Sequence, residues 1–285
     1  MNNAYILEHG VLGLGAILTS EWSEGICHQL LREPIVELEL NYAKGWQGKD
    51  LAFLAHFPDL ESFKIIDWTI DSVQPIHLLH KLKALEISTY CKTEIQFSAF
   101  SQLEHCALEW RSKAKSIFEC KTLKNLFVNH YNREGTESFG RLTNLETLAI
   151  LNAPVKTLLG LSPLRRLRML RLAGLRVLDS LKGVENLINL EELNINTCRR
   201  IRSIEEIGNL SRLRKLYLNN NGKIQSLKPI GRLRWLESVT FSDSTEIVDG
   251  DLSPLARQKH LTSVSFQNRR HYSHSREELR LIPSS

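Results

Sequence analysis

The sequence of 285 residues is most informative at first for what it lacks. Its five cysteines, Cys27, Cys91, Cys106, Cys120 and Cys198, are odd in number, widely spaced and form no CxxC pair, which excludes a disulfide framework and a structural zinc site. No Gly, Pro or Ser run marks a linker or a low-complexity segment, so one continuous body is expected. The apolar stretch VLGLGAIL at 11–18 falls far short of the roughly 20 residues of a membrane span. Glu8 and His9 precede it where an export signal carries Lys or Arg, so neither a signal nor a membrane association is expected, and a reducing cytoplasm fits best.

Catalytic signatures are missing as well. There is no GxSxG, HExxH or P-loop, and the glycine cluster Gly10, Gly13, Gly15 has the order GxxGxG rather than that of a dinucleotide fingerprint. Cys27 and His28 are neighbours in sequence, but on a helix they face different ways, as a core thiol beside a surface imidazole. His271 and His274 have no evident third ligand. These absences predict a non-enzymatic protein without metal or cofactor.

What the chain has in abundance is a repeat. With the first Leu of LRKLYLNNN (213–221) as position 1, residues at 1, 4 and 6 are apolar and a small polar residue tends to stand at 9. The same pattern starts at 35, 60, 82, 103, 123, 145, 167, 190, 236 and 261, giving eleven units with a mean period of about 22.6 residues. Positions 4 and 6 fall on one face of a strand, which makes Leu216 and Leu218 inward and Lys215, Tyr217 and Asn219 outward. One unit alone cannot bury its apolar face, whereas stacked units can. The apolar spacing of three in Ile201, Ile204, Ile207 and Leu210 suits short 3₁₀ or extended return segments.

In period and in segments such as NLINLEEL (186–193), the chain resembles the leucine-rich repeat family, in particular its short bacterial type. The resemblance implies an α/β repeat solenoid: a right-handed horseshoe with parallel strands on its concave face and 3₁₀, short helical or extended segments on its convex face. The expected organisation is an N-terminal cap at 1–34, a solenoid at 35–270 and a C-terminal cap or tail at 271–285. Within the first, Ser20 is expected to cap a short helix with Trp22, Ile26 and Leu30 along one side.

On such a scaffold specificity lies in the outward positions. The first five units supply Glu37, Glu39 and Tyr42; Lys64, Asp67 and Trp68; Glu86 and Tyr90; His105, Glu109 and Trp110; and Phe127, His130 and Tyr131. An aromatic stands at each strand end, although position 9 turns inward in such repeats, so that Trp68, Tyr90 and Tyr131 have a core reading beside the partner-binding one. Rigid aromatics among carboxylates are the composition of a protein interface. Residues 1–140 carry 13 Lys plus Arg against 18 Asp plus Glu, a net −5, and 141–285 carry 24 against 14, a net +10. A basic protein partner is therefore expected, with the chain acting as an immunity protein or inhibitor toward a toxin or intracellular enzyme. Nucleic acid is the less favoured partner, held through rim arginines such as Arg165, Arg166 and Arg168; a regulatory subunit of an enzyme complex is a third reading. Of the three asparagines in LRKLYLNNN, Asn221 at position 9 is expected to serve the scaffold by pairing backbone groups of adjacent turns.

Overall fold

A computed structural model describes residues 4–280. The chain divides into two compact units at Leu126/Phe127, within strand β7 (Asn125–Asn129).

The first unit opens on an antiparallel hairpin, β1 (Tyr5–His9) and β2 (Leu14–Leu18). The stretch VLGLGAIL is thus a turn and a strand. From β2 onward the pairing is parallel and in register through β3 (Glu37–Asn41), β4 (Ser62–Ile66), β5 (Ala84–Ser88) and β6 (His105–Glu109). Positions 4 and 6 of these repeats are buried throughout: Leu38 and Leu40, Phe63 and Ile65, Leu85 and Ile87, Cys106 and Leu108. Each such side chain contributes roughly 1.5–3 kcal/mol by leaving water. Between the strands the chain returns in 3₁₀ turns, among them Ala52–His56, Gln74–Leu78 and Ser112–Glu119. Their i→i+3 bonds fit the apolar spacing of three.

Helix α1 (Glu24–Leu30) buries Ile26, Cys27 and Leu30 and leaves His28 exposed. Its N-cap is Ser23, whose Oγ accepts from Ile26 N–H, and not Ser20, which instead donates to the carbonyl of Ala4. Trp22 precedes the helix and stacks on Phe53 with ring centroids 3.8 Å apart.

The second unit continues the pattern in β8 (Thr147–Leu151), β9 (Met169–Ala173), β10 (Glu192–Asn196), β11 (Lys215–Asn219), β13 (Ser238–Phe241) and β15 (Ser263–Phe266), all parallel. Two further short strands, β12 (Lys223–Ile224) and β14 (Glu246–Ile247), pair on their own and bury Ile224 and Ile247. Helix α2 (Ser253–Ala256) lies between β14 and β15, and α3 (Arg276–Arg280) follows β15. The segment at 271–274 is packed in place: Tyr272 accepts from Ile247 N–H, His271 bonds to the Ile247 carbonyl, and the Tyr272 ring sits against Phe241 and Phe266. Leu279 is buried, while Leu281 and Ile282 lie outside the described residues.

The units differ at the turn that ends each strand. In the second unit position 8 is left-handed in six successive repeats, at His130, Asn152, Gly174, Thr197, Asn220 and Asp243. The amide of each of the first four donates to the last carbonyl of the following strand, as Thr197 N–H does to Asn219 at 3.0 Å, and that of Asn220 to Ser242 just past β13. In the first five the chain then turns position 9 inward, burying Tyr131, Ala153, Leu175, Cys198 and Asn221, whereas after Asp243 Ser244 is exposed and Thr245 is buried. Among the described residues of the first unit, positive φ is confined to Gly13 and Gly45. There Asp67 and Thr89, at position 8, take the buried place.

Candidate partner-binding surface

Three outward rows cross the sheet of the first unit. The strand register aligns Glu37, Ser62, Ala84 and His105 in one row, Glu39, Lys64, Glu86 and Ala107 in the next, and Asn41, Ile66 and Ser88 in the third.

Glu37 is a support for the hairpin and not a free contact: its Oε1 accepts from Leu12 N–H and Gly13 N–H, holding the turn between β1 and β2. The middle row is internally paired. Lys64 stands 3.1 Å from Glu86 and 4.0 Å from Glu39, and Lys44 bonds Glu39 at 2.8 Å. Burial pushes the Glu39 carboxyl up, but hydrogen bonds from Lys44 and Asn41 together with the Lys64 charge bring it below its ordinary value. The carboxylate surface expected from sequence is thus partly neutralised by lysines of the same face. His105 is exposed and takes the Asn125 amide on Nδ1 at 2.9 Å.

The aromatics separate into two groups. Tyr42, 54% exposed, tops a 3₁₀ turn (Tyr42–Lys44) capped by Asn41, and Tyr90 is 72% exposed with half-buried Trp68 against it at a centroid distance of 4.5 Å. Asp67 and Tyr131 belong to the interior, which corrects their placement among partner contacts. Asp67 is buried and its two oxygens are taken by Trp46 Nε1 (2.9 Å) and by Thr69 N and Oγ1 (both 2.7 Å). Tyr131 is buried edge-on against Phe139 at 4.9 Å because the left-handed His130 before it turns position 9 inward. Trp110 and Glu109 are half-buried, with the Trp110 ring 5.6 Å from that of Phe118. In the second unit, Phe127 is half-buried and His130 exposed.

Arg111 has a role that its sequence position did not reveal. Its guanidinium donates to the carbonyls of Cys91 and Thr89, to Thr89 Oγ1 and to Cys91 Sγ, all within 3.1 Å. Burial pushes the Cys91 thiol up, yet Thr89 and Arg111 bring it below its ordinary value. Burial sends Cys198 up to about 11 against the pull of backbone hydrogen bonds, and burial together with the nearby Cys120 and Glu86 sends Cys106 well upward, in keeping with inert core positions.

The rim arginines are mostly engaged. Position 2 alternates in sign along the repeats, and the structure closes these charges into pairs: Lys83 with Glu61 and Lys124 with Glu104 in the first unit, Arg168 with Glu191 and Arg214 with Glu237 in the second, at 2.5–3.0 Å. Arg165 bonds the carbonyl of Asn186. Among the described residues, no group of three or more potential metal ligands is assembled, and no helix is long and apolar enough to cross a membrane.

Parallel strands 20–25 residues apart, inward apolar residues rich in leucine and 3₁₀ returns define a leucine-rich repeat solenoid. Solved structures of that architecture superpose on the chain. An internalin (InlF) of Listeria monocytogenes matches at 17% identity and a TM-score of 0.57, over 82% of this chain and 76% of its own. A leucine-rich repeat protein of Leptospira interrogans matches at 16% identity and 0.53, over 88% and 82%. The Arabidopsis receptor kinase HAESA, in complex with the peptide hormone IDA and the co-receptor SERK1, matches at 18% identity and 0.59, over 84% of this chain and 47% of the receptor. Identities this low establish the fold and nothing finer. No protein-family model and no curated protein matches the chain.

Proposed function

We propose that the protein is a non-enzymatic binding scaffold that holds one protein partner on the solvent face of its first unit. The observation that carries this reading is the contact pair Trp68–Tyr90 at the ends of adjacent strands, with Tyr42 exposed at the end of the strand before them. Large aromatics held rigidly outside the core are the usual anchors of an interface, and few of them carry most of the affinity. Around them Glu39, Lys64 and Glu86 form a pre-paired polar field that fixes register more than it adds affinity.

The partner is basic. The first unit holds 12 Lys plus Arg against 16 Asp plus Glu, a net −4, which favours encounter with a cationic surface. Blocking the cationic cleft of a toxin or an intracellular enzyme, as an immunity protein or inhibitor does, is the role this composition suits, in the cytoplasm. The test is affinity capture from source-cell extract with the wild-type chain and the double variant Trp68→Ala/Tyr90→Ala in parallel. The reading expects a protein of high pI retained by the first and lost from the second. Equal retention by both would move the interface elsewhere.

A further inference from the structure

On the second unit, a different set of residues forms a cleft of about 420 Å³ between two return segments that precede β13 and β15. Trp235 and His260 occupy the same slot, just before position 1, in successive repeats. Their rings stack at 4.9 Å and 25°, yet Trp235 remains 55% exposed. Arg234, Arg257 and Lys259 line the same cleft, which has no carboxylate in its wall. Glu237, two residues on from Trp235, is taken by Arg214, and the slot one repeat back from Trp235 holds the exposed Arg212. Gln258 is fixed by its Nε2, which donates to the Ile230 carbonyl at 2.8 Å and leaves Oε1 as an acceptor.

An exposed indole lying on an imidazole has no packing duty that a smaller side chain would not meet. Its flat face suits a flat ligand, and the three cations around it, for which no salt bridge forms among the described residues although the Asp251 charge acts on Arg257, suit an anion. We propose that this cleft binds a nucleobase stacked on Trp235 with its phosphate held by Arg234, Arg257 and Lys259, as presented by single-stranded nucleic acid or by a free nucleotide. Base stacking on an exposed aromatic beside phosphate-holding cations is sequence-tolerant and salt-dependent. An acidic protein would use the cations but gain nothing particular from the ring, which makes the ring the discriminating feature. The site is independent of the aromatic surface of the first unit and stands or falls without it.

The test is fluorescence anisotropy of a labelled single-stranded RNA decamer with the full chain at low salt, with AMP and poly-glutamate as competitors. Trp235→Ala is expected to weaken RNA or AMP binding about 5- to 150-fold, corresponding to about 1–3 kcal/mol for one stacked base, and Trp235→Phe to restore most of it. Arg234→Ala/Lys259→Ala is expected to flatten the slope of log affinity against log salt by up to about 0.7, the value for one phosphate contact in a single strand. Competition by AMP would identify a mononucleotide site and its absence a site needing the strand; both agree with the proposal. It is overturned if neither RNA nor AMP binds, if Trp235→Ala binds as the wild type does, or if poly-glutamate competes as well as the nucleic acid. Unchanged thermal unfolding of each variant separates lost binding from lost fold.

Discussion

The indole Nε1 of Trp46 donates to Oδ2 of Asp67 at 2.9 Å, and both side chains are buried. Asp67 belongs to the next repeat, 21 residues on, so the bond ties successive turns of the first unit at the place where the second unit uses a left-handed residue. Replacing Trp46 by Phe keeps one aromatic ring of the indole but removes the Nε1 donor and leaves a buried carboxylate one donor short. The expected cost is about 1–3 kcal/mol in urea unfolding, against less than about 0.5 kcal/mol for a change at a solvent-exposed position such as Glu119→Gln.

Asn221 performs the corresponding task in the second unit. Its Oδ1 accepts from Cys198 N–H at 2.9 Å and its Nδ2 donates to the Ile195 carbonyl at 2.7 Å, all buried. Asn221→Ala leaves two interior backbone groups unpaired and is expected to cost roughly 2–5 kcal/mol in urea unfolding. Asn219→Ala, on the outward side, is expected to cost far less.

Thr197 holds φ at 55°, a region that β-branched residues avoid, where its neighbours in the same column are Gly174 and Asn220. Thr197→Asn is expected to raise stability by about 1 kcal/mol, read as an upward shift of the urea midpoint. A loss of stability would mean that the bonds of the Thr197 hydroxyl to Asn196 and Asn220 outweigh the strain.

Acid sensitivity follows from the paired carboxylates. Lys44, Asn41 and Lys64 overcome the burial of Glu39 and bring its carboxyl below the ordinary range, and hydrogen bonds from Lys124 and Arg168 hold Glu104 and Glu191 there. Groups depressed in the folded state stabilise it above their unfolded pKa, about 4.3 for Glu, and the contribution is lost as pH falls through the lower folded values. The urea midpoint is therefore expected to hold from pH 7 to about 5 and to fall below about 4.3, more shallowly in Glu39→Gln. An unchanged slope in that variant would remove Glu39 from the account.

The repeat made the core legible. The inward residues at positions 4 and 6, the 3₁₀ returns, the exposed His28 beside buried Cys27 and the scaffold role of Asn221 all follow from spacing and alternation. The orientation of the candidate site residues was legible in part. Which of positions 8 and 9 turns inward depends on backbone handedness, and Tyr131 and Asp67 were misplaced because that handedness differs between the units. Glu37 was misread because its partners, the amides of Leu12 and Gly13, come from a hairpin that the repeat pattern does not contain. Trp235 and His260 carried a signal that a slot-by-slot comparison reveals: two aromatic rings one repeat apart, just before position 1.

The most direct test of the binding account is calorimetry of the captured partner with the wild-type chain and with Trp68→Ala, Tyr90→Ala and Tyr42→Ala. Hot-spot anchors cost about 2 kcal/mol or more when truncated, so Trp68→Ala and Tyr90→Ala are each expected to weaken binding about 30-fold or more, and together by less than the product because the rings touch. Affinity equal to the wild type in both variants, with unfolding unchanged, would contradict the placement of the interface on this face.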